Sequence, residues 1–285
     1  MYWEENANTL LKRKENNAVV GFGLKRSVLF MLLQGLNNMD KTIVYLTDNM
    51  LDENIFNLCQ RNILKSIGNL PLISVSHKPI DFGENICCGV MDRNSLSINR
   101  QMMMALERVE TKYIAIAEHD CLYTEEHFSF IPTDDSVFWY NENVWMLQTC
   151  SEAHPEYNGL FSMFPQRKAN SQLICETQLM KKSTQDRIDM MSDPAWMAKH
   201  PTGRIGEAGH MDYNHAMRLS VGRSVAHIRE KLKQYILDYK GENFRTKIPN
   251  VDIRHEHNFT KNRRGPKRKY ELPYWGRMKD VLNWS

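Results

Sequence analysis

Two short clusters in this chain carry residue types that can do chemistry. The first is Glu118-His119-Asp120, which closes the apolar stretch Lys112 to Ala117. Carboxylates at the end of a buried strand are costly unless something compensates their charge. A divalent cation carrying a diphosphate would do so, because hard cations take carboxylate oxygens together with substrate phosphates. Such a cation acts as a Lewis acid on a leaving nucleoside diphosphate. The competing reading is a solvated strand end. The second cluster is His255-Glu256-His257. In an extended chain this spacing puts both rings on one side, and imidazole is a good ligand for borderline metals. The alternative is a pair of packed or surface histidines. The candidate metal ligands are therefore Asp120, Glu118, His255 and His257.

Other residues suit anions. Arg93, Asn94, Ser97, Asn99 and Arg100 cluster before and inside a helical stretch. Arginine forks match phosphate oxygens, while Ser97 could simply cap the helix. Near the C-terminus Arg254, Lys261, Arg263, Arg264, Lys267, Arg268 and Lys269 are interleaved with Phe259, Tyr270, Tyr274 and Trp275. Cations neutralise phosphates and aromatics stack on bases, so this segment reads as a nucleic-acid contact or as a solvated tail. Gly21-Phe22-Gly23 lacks the third glycine of a dinucleotide fingerprint, and no phosphate-binding P-loop is present.

The elements that must position these groups alternate. Strands are expected at 18–22, 41–47, 70–76 and 112–117, with helices at 24–36, 53–67 and 97–109. This alternation gives a doubly wound, mostly parallel sheet, whose ligands bind beyond the carboxyl ends of the strands. Asp48 and Glu118-His119-Asp120 both fall at such ends. A strand pair is expected over 137–147, helices over 171–191 and 224–239, a loop over 194–211 and a strand over 248–254.

In order and spacing these features resemble the GT-A nucleotide-sugar glycosyltransferases, in particular their family-2-like branch. The resemblance covers roughly the first half of the chain and the segment around His255. It implies a GT-A-like sheet, an α-rich acceptor region and a basic C-terminal segment. It also implies a nucleotide-sugar-binding half over residues 1–150 and an acceptor-binding half over 151–285. Asp48 in Leu46-Thr47-Asp48-Asn49 matches the acid that contacts base or ribose, and Asn99-Arg100 the polar helix. Glu118-His119-Asp120 stands in the place of the D-x-D motif, with Glu for its first acid and His between. His255 or His257 matches the late metal ligand. The implied donor is a nucleoside diphosphate sugar such as a UDP-sugar, with Mn²⁺ or Mg²⁺. An inverting transferase also needs a general base. Glu207, in a glycine-flanked loop, is the first candidate, Asp212 the second and Glu176 the third.

The chain has 285 residues, net charge +3, 42% hydrophobic and 25% charged residues, so a packed core is expected and a polyanionic partner is permitted, not required. Its six cysteines form no C-x-x-C pair and read as reduced core thiols. No apolar stretch approaches the roughly 20 residues of a membrane helix. These features give the expectation of a cytoplasmic enzyme. In size and basic C-terminus the chain also resembles glycosyltransferases of bacterial viruses that decorate hydroxymethylated pyrimidines, which implies DNA as acceptor. A glycan or protein acceptor, a nucleotidyltransferase and a non-catalytic nucleic-acid-binding protein are the alternatives.

Overall fold

A computed structural model describes residues 40–152, 154–199, 207–209, 239–258 and 265–284. The strand expected at 18–22, the helix at 24–36, all but Tyr239 of the helix at 224–239, Asp212, Phe259, Lys261, Arg263 and Arg264 lie outside them.

From residue 41 the described chain follows the expected order. β1 (Lys41–Thr47), α1 (Glu53–Ile67) and β2 (Leu72–Ser76) form a β-α-β unit with parallel strands. Asp52 starts α1 by accepting from the backbone N–H groups of Asn54 and Ile55. Gly68, at φ 58°, ends it in a conformation open to glycine. β3 (Glu84–Cys87) continues the parallel ladder beside β2. α2 (Ser95–Leu106), capped by Asn94, returns the chain to β4 (Tyr113–Glu118), which lies parallel to β1 on its other side.

Thereafter the chain builds two sheets at once. β5 (Cys121–Leu122), α3 (Glu125–Ser129), β6 (Val137–Asn141), β7 (Val144–Gln148), β8 (Phe161–Met163) and β9 (Leu173–Glu176) come first. α4 (Thr177–Ser192), α5 (Pro194–Lys199), β10 (Lys240–Phe244), β11 (Asn250–Arg254), β12 (Lys267–Lys269) and α6 (Met278–Leu282) follow. The larger sheet has the order β10-β6-β9-β4-β1-β2-β3 and is parallel except for β9. The smaller sheet runs β12-β8-β7-β11-β5. Both take strands from each side of residue 150, so hydrogen bonding does not part the chain at that boundary.

Alternation along β1 and β4 supplies two cores. Ile43, Tyr45, Ala115 and Ala117 pack with Ile63 and Ile67 of α1. Val44, Ile114 and Ile116 pack with Met102, Ala105 and Leu106 of α2 and Met180 of α4. Helices therefore cover both faces, which makes the larger sheet doubly wound. A third cluster under the smaller sheet joins Leu147, Phe161, Val251, Ile253 and Trp275.

Three expectations need correction. Residues 137–147 do form two strands, but β6 belongs to the larger sheet and β7 to the smaller. Asn141 and Asn143 anchor that crossing to Thr246, which accepts from both side-chain amides through its hydroxyl and carbonyl oxygens. The helix expected from Ser171 starts at Thr177, because Leu173, Ile174 and Cys175 are wholly buried in β9 between β4 and β6. Pro194–Lys199, expected as loop, is a short helix.

Candidate active site

Strand order reverses about β1: the chain steps from it to β2 and β3 on one side, then returns to β4 on the other. Ligands of open α/β sheets bind at the carboxyl ends beside such a switch. Asp48 lies just beyond β1 there, and His119-Asp120 just beyond β4. β4 cannot simply continue, because Glu118 N–H donates to the Tyr123 hydroxyl at 3.0 Å and that hydroxyl donates to the Ser171 carbonyl at 2.9 Å. The chain turns through His119-Asp120 into β5, whose exit is held by Asn62: it accepts from Tyr123 N–H at 2.6 Å and donates to the Tyr123 carbonyl at 3.1 Å.

β11 pairs with β5 and brings the late histidines to this turn. Ile253 N–H donates to the Asp120 carbonyl at 2.7 Å. His255 follows directly, and its Nε2 stands 3.4 Å from Asp120 Oδ2. The strand ends at Arg254, and a turn follows in which Asn258 N–H bonds back to the His255 carbonyl at 3.3 Å. The expected alternation of His255 and His257 is thereby broken. His255 is 5% exposed, whereas the His257 side chain is 41% exposed and meets Glu256 at 3.2 Å. Asn258 ties the corner together: its Nδ2 donates to Asp120 Oδ2 at 2.7 Å, and its Oδ1 accepts from His255 N–H at 2.6 Å.

Charge separates the two acids of Glu118-His119-Asp120. Burial, with Asp120, Asp252 and Glu207 nearby, pushes the Glu118 carboxyl well above the usual range, against the pull of Arg167. Burial would raise Asp120 as well, but His255, His119 and Arg254 beside it hold it down at about 2. Asp120 is therefore the standing anion. His119 is kept neutral by burial, against the opposing influence of Asp120 and Asp48. Its Nδ1 lies 2.7 Å from Thr47 Oγ1. His119, Asp120 and His255 each offer a ligand atom within 4.8 Å of the others, and so do Glu118, Asp120 and Cys121.

On the donor side Asp48 meets Arg93, Nε to Oδ2 at 2.7 Å, and Arg93 Nη2 also donates to the His257 carbonyl at 2.5 Å. Asn99 turns inward on its own helix, donating to the Ser95 carbonyl at 2.8 Å. Arg100 is exposed and makes no ion pair among the described residues. Glu207 is near enough to Glu118 and Tyr140 to raise both. Its loop is pinned where Tyr140 Oη donates to the Ala208 carbonyl at 2.5 Å. Glu176 caps α4, accepting from Leu179 N–H at 2.6 Å.

The basic segment divides. Arg254 is buried and paired with Asp252 at 3.2 Å, and Trp275 is buried with its Nε1 donating to the Pro249 carbonyl at 2.6 Å. Neither meets solvent as expected. Lys267, Arg268 and Lys269 are all exposed on β12, an edge strand, and Tyr270 and Tyr274 are exposed nearby in sequence. Arg167 pairs with Asp252 at 2.9 Å, and Lys168 donates to Asn243 Oδ1 at 3.1 Å.

Asn258 carries no signal in the sequence beyond following His255 by three residues. His119, the residue between the two acids, is itself a signal by its type.

No family model and no curated protein matches this chain. Solved structures do. A glycosyltransferase involved in glycosylation of the major capsid of PBCV-1 aligns at TM-score 0.38 and 6% identity, over 74% of this chain and 91% of that one. Apo GlyE, a glycosyltransferase of Streptococcus pneumoniae TIGR4, aligns at 0.35 and 11%, over 70% and 44%. The bifunctional IspDF of Campylobacter jejuni aligns at 0.33 and 9%, over 56% and 47%. The chain thus spans less than half the length of the last two.

Proposed function

We propose that the protein is a glycosyltransferase that moves a sugar from a nucleoside diphosphate sugar to an acceptor hydroxyl with the help of a divalent cation. The observation that carries this reading is the convergence of an ionised, buried Asp120 and a buried His255 at the switch point of the larger sheet. His255 Nδ1 is buried with no hydrogen-bond partner among the described residues, and Nε2 faces Asp120 Oδ2 at a long 3.4 Å. A buried imidazole left this way is costly, and a cation is a partner that would satisfy it. Asp120 and His255 would hold the ion, which supplies Lewis-acid stabilisation of the leaving diphosphate.

In this reading residues 1–150 serve the donor and 151–285 the acceptor. Asp48 binds base or ribose, and Arg93 steadies that carboxylate. Asn99 and Arg100 remain candidates for the nucleotide, on the strength of the resemblance alone. Glu207 takes the proton from the acceptor hydroxyl. Its neighbour Glu118, whose carboxyl burial and the surrounding acids push well above the usual range, is the more easily protonated acid of the motif, which lowers its repulsion of donor phosphates.

For the acceptor, three adjacent exposed cations on an edge strand favour a polyanion. DNA carrying a hydroxymethylated pyrimidine is the acceptor we assign, with the target nucleotide flipped from the duplex at about a few kcal/mol. Among the described residues no helix is long and apolar enough to cross a membrane.

Thermal unfolding tests the core of this reading. A ligand that binds only the native state raises its stability, so UDP-sugar plus Mn²⁺ should raise the melting temperature, and EDTA or Asp120→Ala should remove both the shift and sugar transfer. A shift with nucleoside triphosphate and none with sugar nucleotide would make the protein a nucleotidyltransferase. Full transfer in EDTA would end the metal-dependent mechanism.

A further inference from the structure

The site as read so far has one carboxylate and one imidazole, and a third group of ligand chemistry lies against them unassigned. His119 follows β4, His255 follows β11, and their ring centroids are 6.0 Å apart with Asp120 between them in the chain turn. One ligand atom from each of His119, Asp120 and His255 falls within 4.8 Å of the others. Bonds from a transition ion to imidazole or carboxylate run about 2.0–2.2 Å, so neighbouring ligands on one ion stand about 3–3.5 Å apart. The 3.4 Å between His255 Nε2 and Asp120 Oδ2 already has that spacing.

Two ligand sets share Asp120, and different chemistry follows from each. Glu118, Asp120 and Cys121 would give a carboxylate–thiol set. Cys121 is fully buried, and its Sγ is turned to Asp120 Oδ1 at 3.7 Å. The His119 set instead includes His255, whose Nδ1 is buried without a hydrogen bond among the described residues and whose Nε2 faces Asp120. It also has supporting contacts suited to ligands. Asn258 holds Asp120 Oδ2 at 2.7 Å, and Thr47 Oγ1 stands 2.7 Å from His119 Nδ1. Ligation of His119 through Nε2 leaves Nδ1–H to donate to Thr47, the arrangement by which outer partners fix a ligand imidazole.

We infer that His119 completes, with Asp120 and His255, a two-imidazole, one-carboxylate site that takes a divalent first-row transition ion in preference to Mg²⁺. Imidazole suits transition ions, whereas Mg²⁺ demands oxygen ligands and gives up its water reluctantly. The inference deepens the transferase reading by choosing between Mn²⁺ and Mg²⁺, and its metal chemistry stands on these residues alone. Glu118, the first acid of the motif, is then outside the ligand set.

The test uses the full chain and the metal alone. Titration with Co²⁺, followed by its visible absorption, should give a saturable site that a hundredfold excess of Mg²⁺ does not displace. His119→Asn and His255→Asn should each weaken Co²⁺ binding tenfold or more, with unfolding temperatures checked in parallel, and Glu118→Gln should leave it within twofold. Wild-type protein loaded with Cu²⁺ gives a readout free of any folding defect: electron spin-echo modulation should count two imidazoles. One imidazole or none, displacement by Mg²⁺, or a thiolate-to-cobalt band that Cys121→Ala removes would overturn the inference. Sugar transfer by a protein that fails these tests would leave the transferase reading standing, and a two-imidazole site in a protein that transfers no sugar would overturn that reading alone.

Discussion

Proton handling divides unevenly among the acids of the site. Asp120 is held ionised at about 2 by the cations and imidazoles around it, and Glu118 is pushed well above its usual range by burial and by Asp120, Asp252 and Glu207. Two acids two residues apart are thereby pushed in opposite directions by their surroundings. Glu207 contributes to that separation and is the candidate base in the same neighbourhood. Glu207→Gln should retain UDP-sugar binding, measured by thermal protection, and lose about 10²–10⁴-fold in transfer rate, the usual contribution of a general base. Transfer at the wild-type rate would move the role to Asp212.

Elements fix where those residues stand, and glycine contacts show how tightly. Gly209, next to the Glu207 loop, has φ +65°, and a Cβ there would meet Gly241 N at 2.6 Å. Both the conformation and the close approach to β10 exclude a side chain. Gly209→Ala should therefore displace the loop and lower the transfer rate tenfold or more with donor affinity unchanged, as a kcat-against-KM comparison would show. A second element-scale prediction concerns His127 of α3, buried against Tyr123, Phe128 and Phe244. Burial, then Lys41, depresses its pKa from 6.5 to about 3. Below pH 6.5 the unfolded chain takes up a proton that the folded one refuses, so this group's contribution to stability falls as pH drops from 6.5 toward 3. By pH 5 the loss is about 2 kcal/mol from this group. Urea midpoints at pH 7 and pH 5 should fall less for His127→Phe than for wild type, and equal falls would refute the assignment.

The same elements show what a sequence can reveal. β1 and α1 matched their expected bounds, because an apolar β-rich run and a capped amphipathic stripe are local signals. β9 was hidden: its four residues, Leu173–Glu176, read as the first turn of the helix that follows, and only the long-range pairing with β4 and β6 makes them a strand. β10 carries Gly241 and charged residues and has no apolar alternation to find. In the site, Asp120 and His255 were legible by type and position. Asn258 and the Thr47–His119 contact were not, since each depends on a turn brought near by a strand far along the chain.

At the scale of the whole molecule, the acceptor reading depends on where charge is left over. Most interior cations are committed: Arg167 and Arg254 to Asp252, Lys41 to the carbonyls of Phe128 and Phe130. Lys267, Arg268 and Lys269 are instead exposed and without a carboxylate partner among the described residues on β12, Arg268 donating to the Gly265 carbonyl and Lys269 lying over Trp145, at the edge of the smaller sheet whose β11 leads into His255. A net charge of +3 spread evenly would attract DNA weakly, so the arrangement matters more than the total. Each phosphate neutralised on duplex DNA contributes about −0.9 to the slope of log affinity against log salt. Binding of the full chain to hydroxymethylated duplex should therefore weaken steeply from 50 to 200 mM salt, and replacing Lys267, Arg268 and Lys269 together by Gln should flatten the slope by about 2–3. UDP-sugar affinity should not change, because none of the three belongs to the Asp48–Asp120–His255 corner. If duplex binding is undetectable at low salt, or if its slope survives the triple substitution, the β12 face is not a phosphate contact and the acceptor is a glycan or protein reached by another surface.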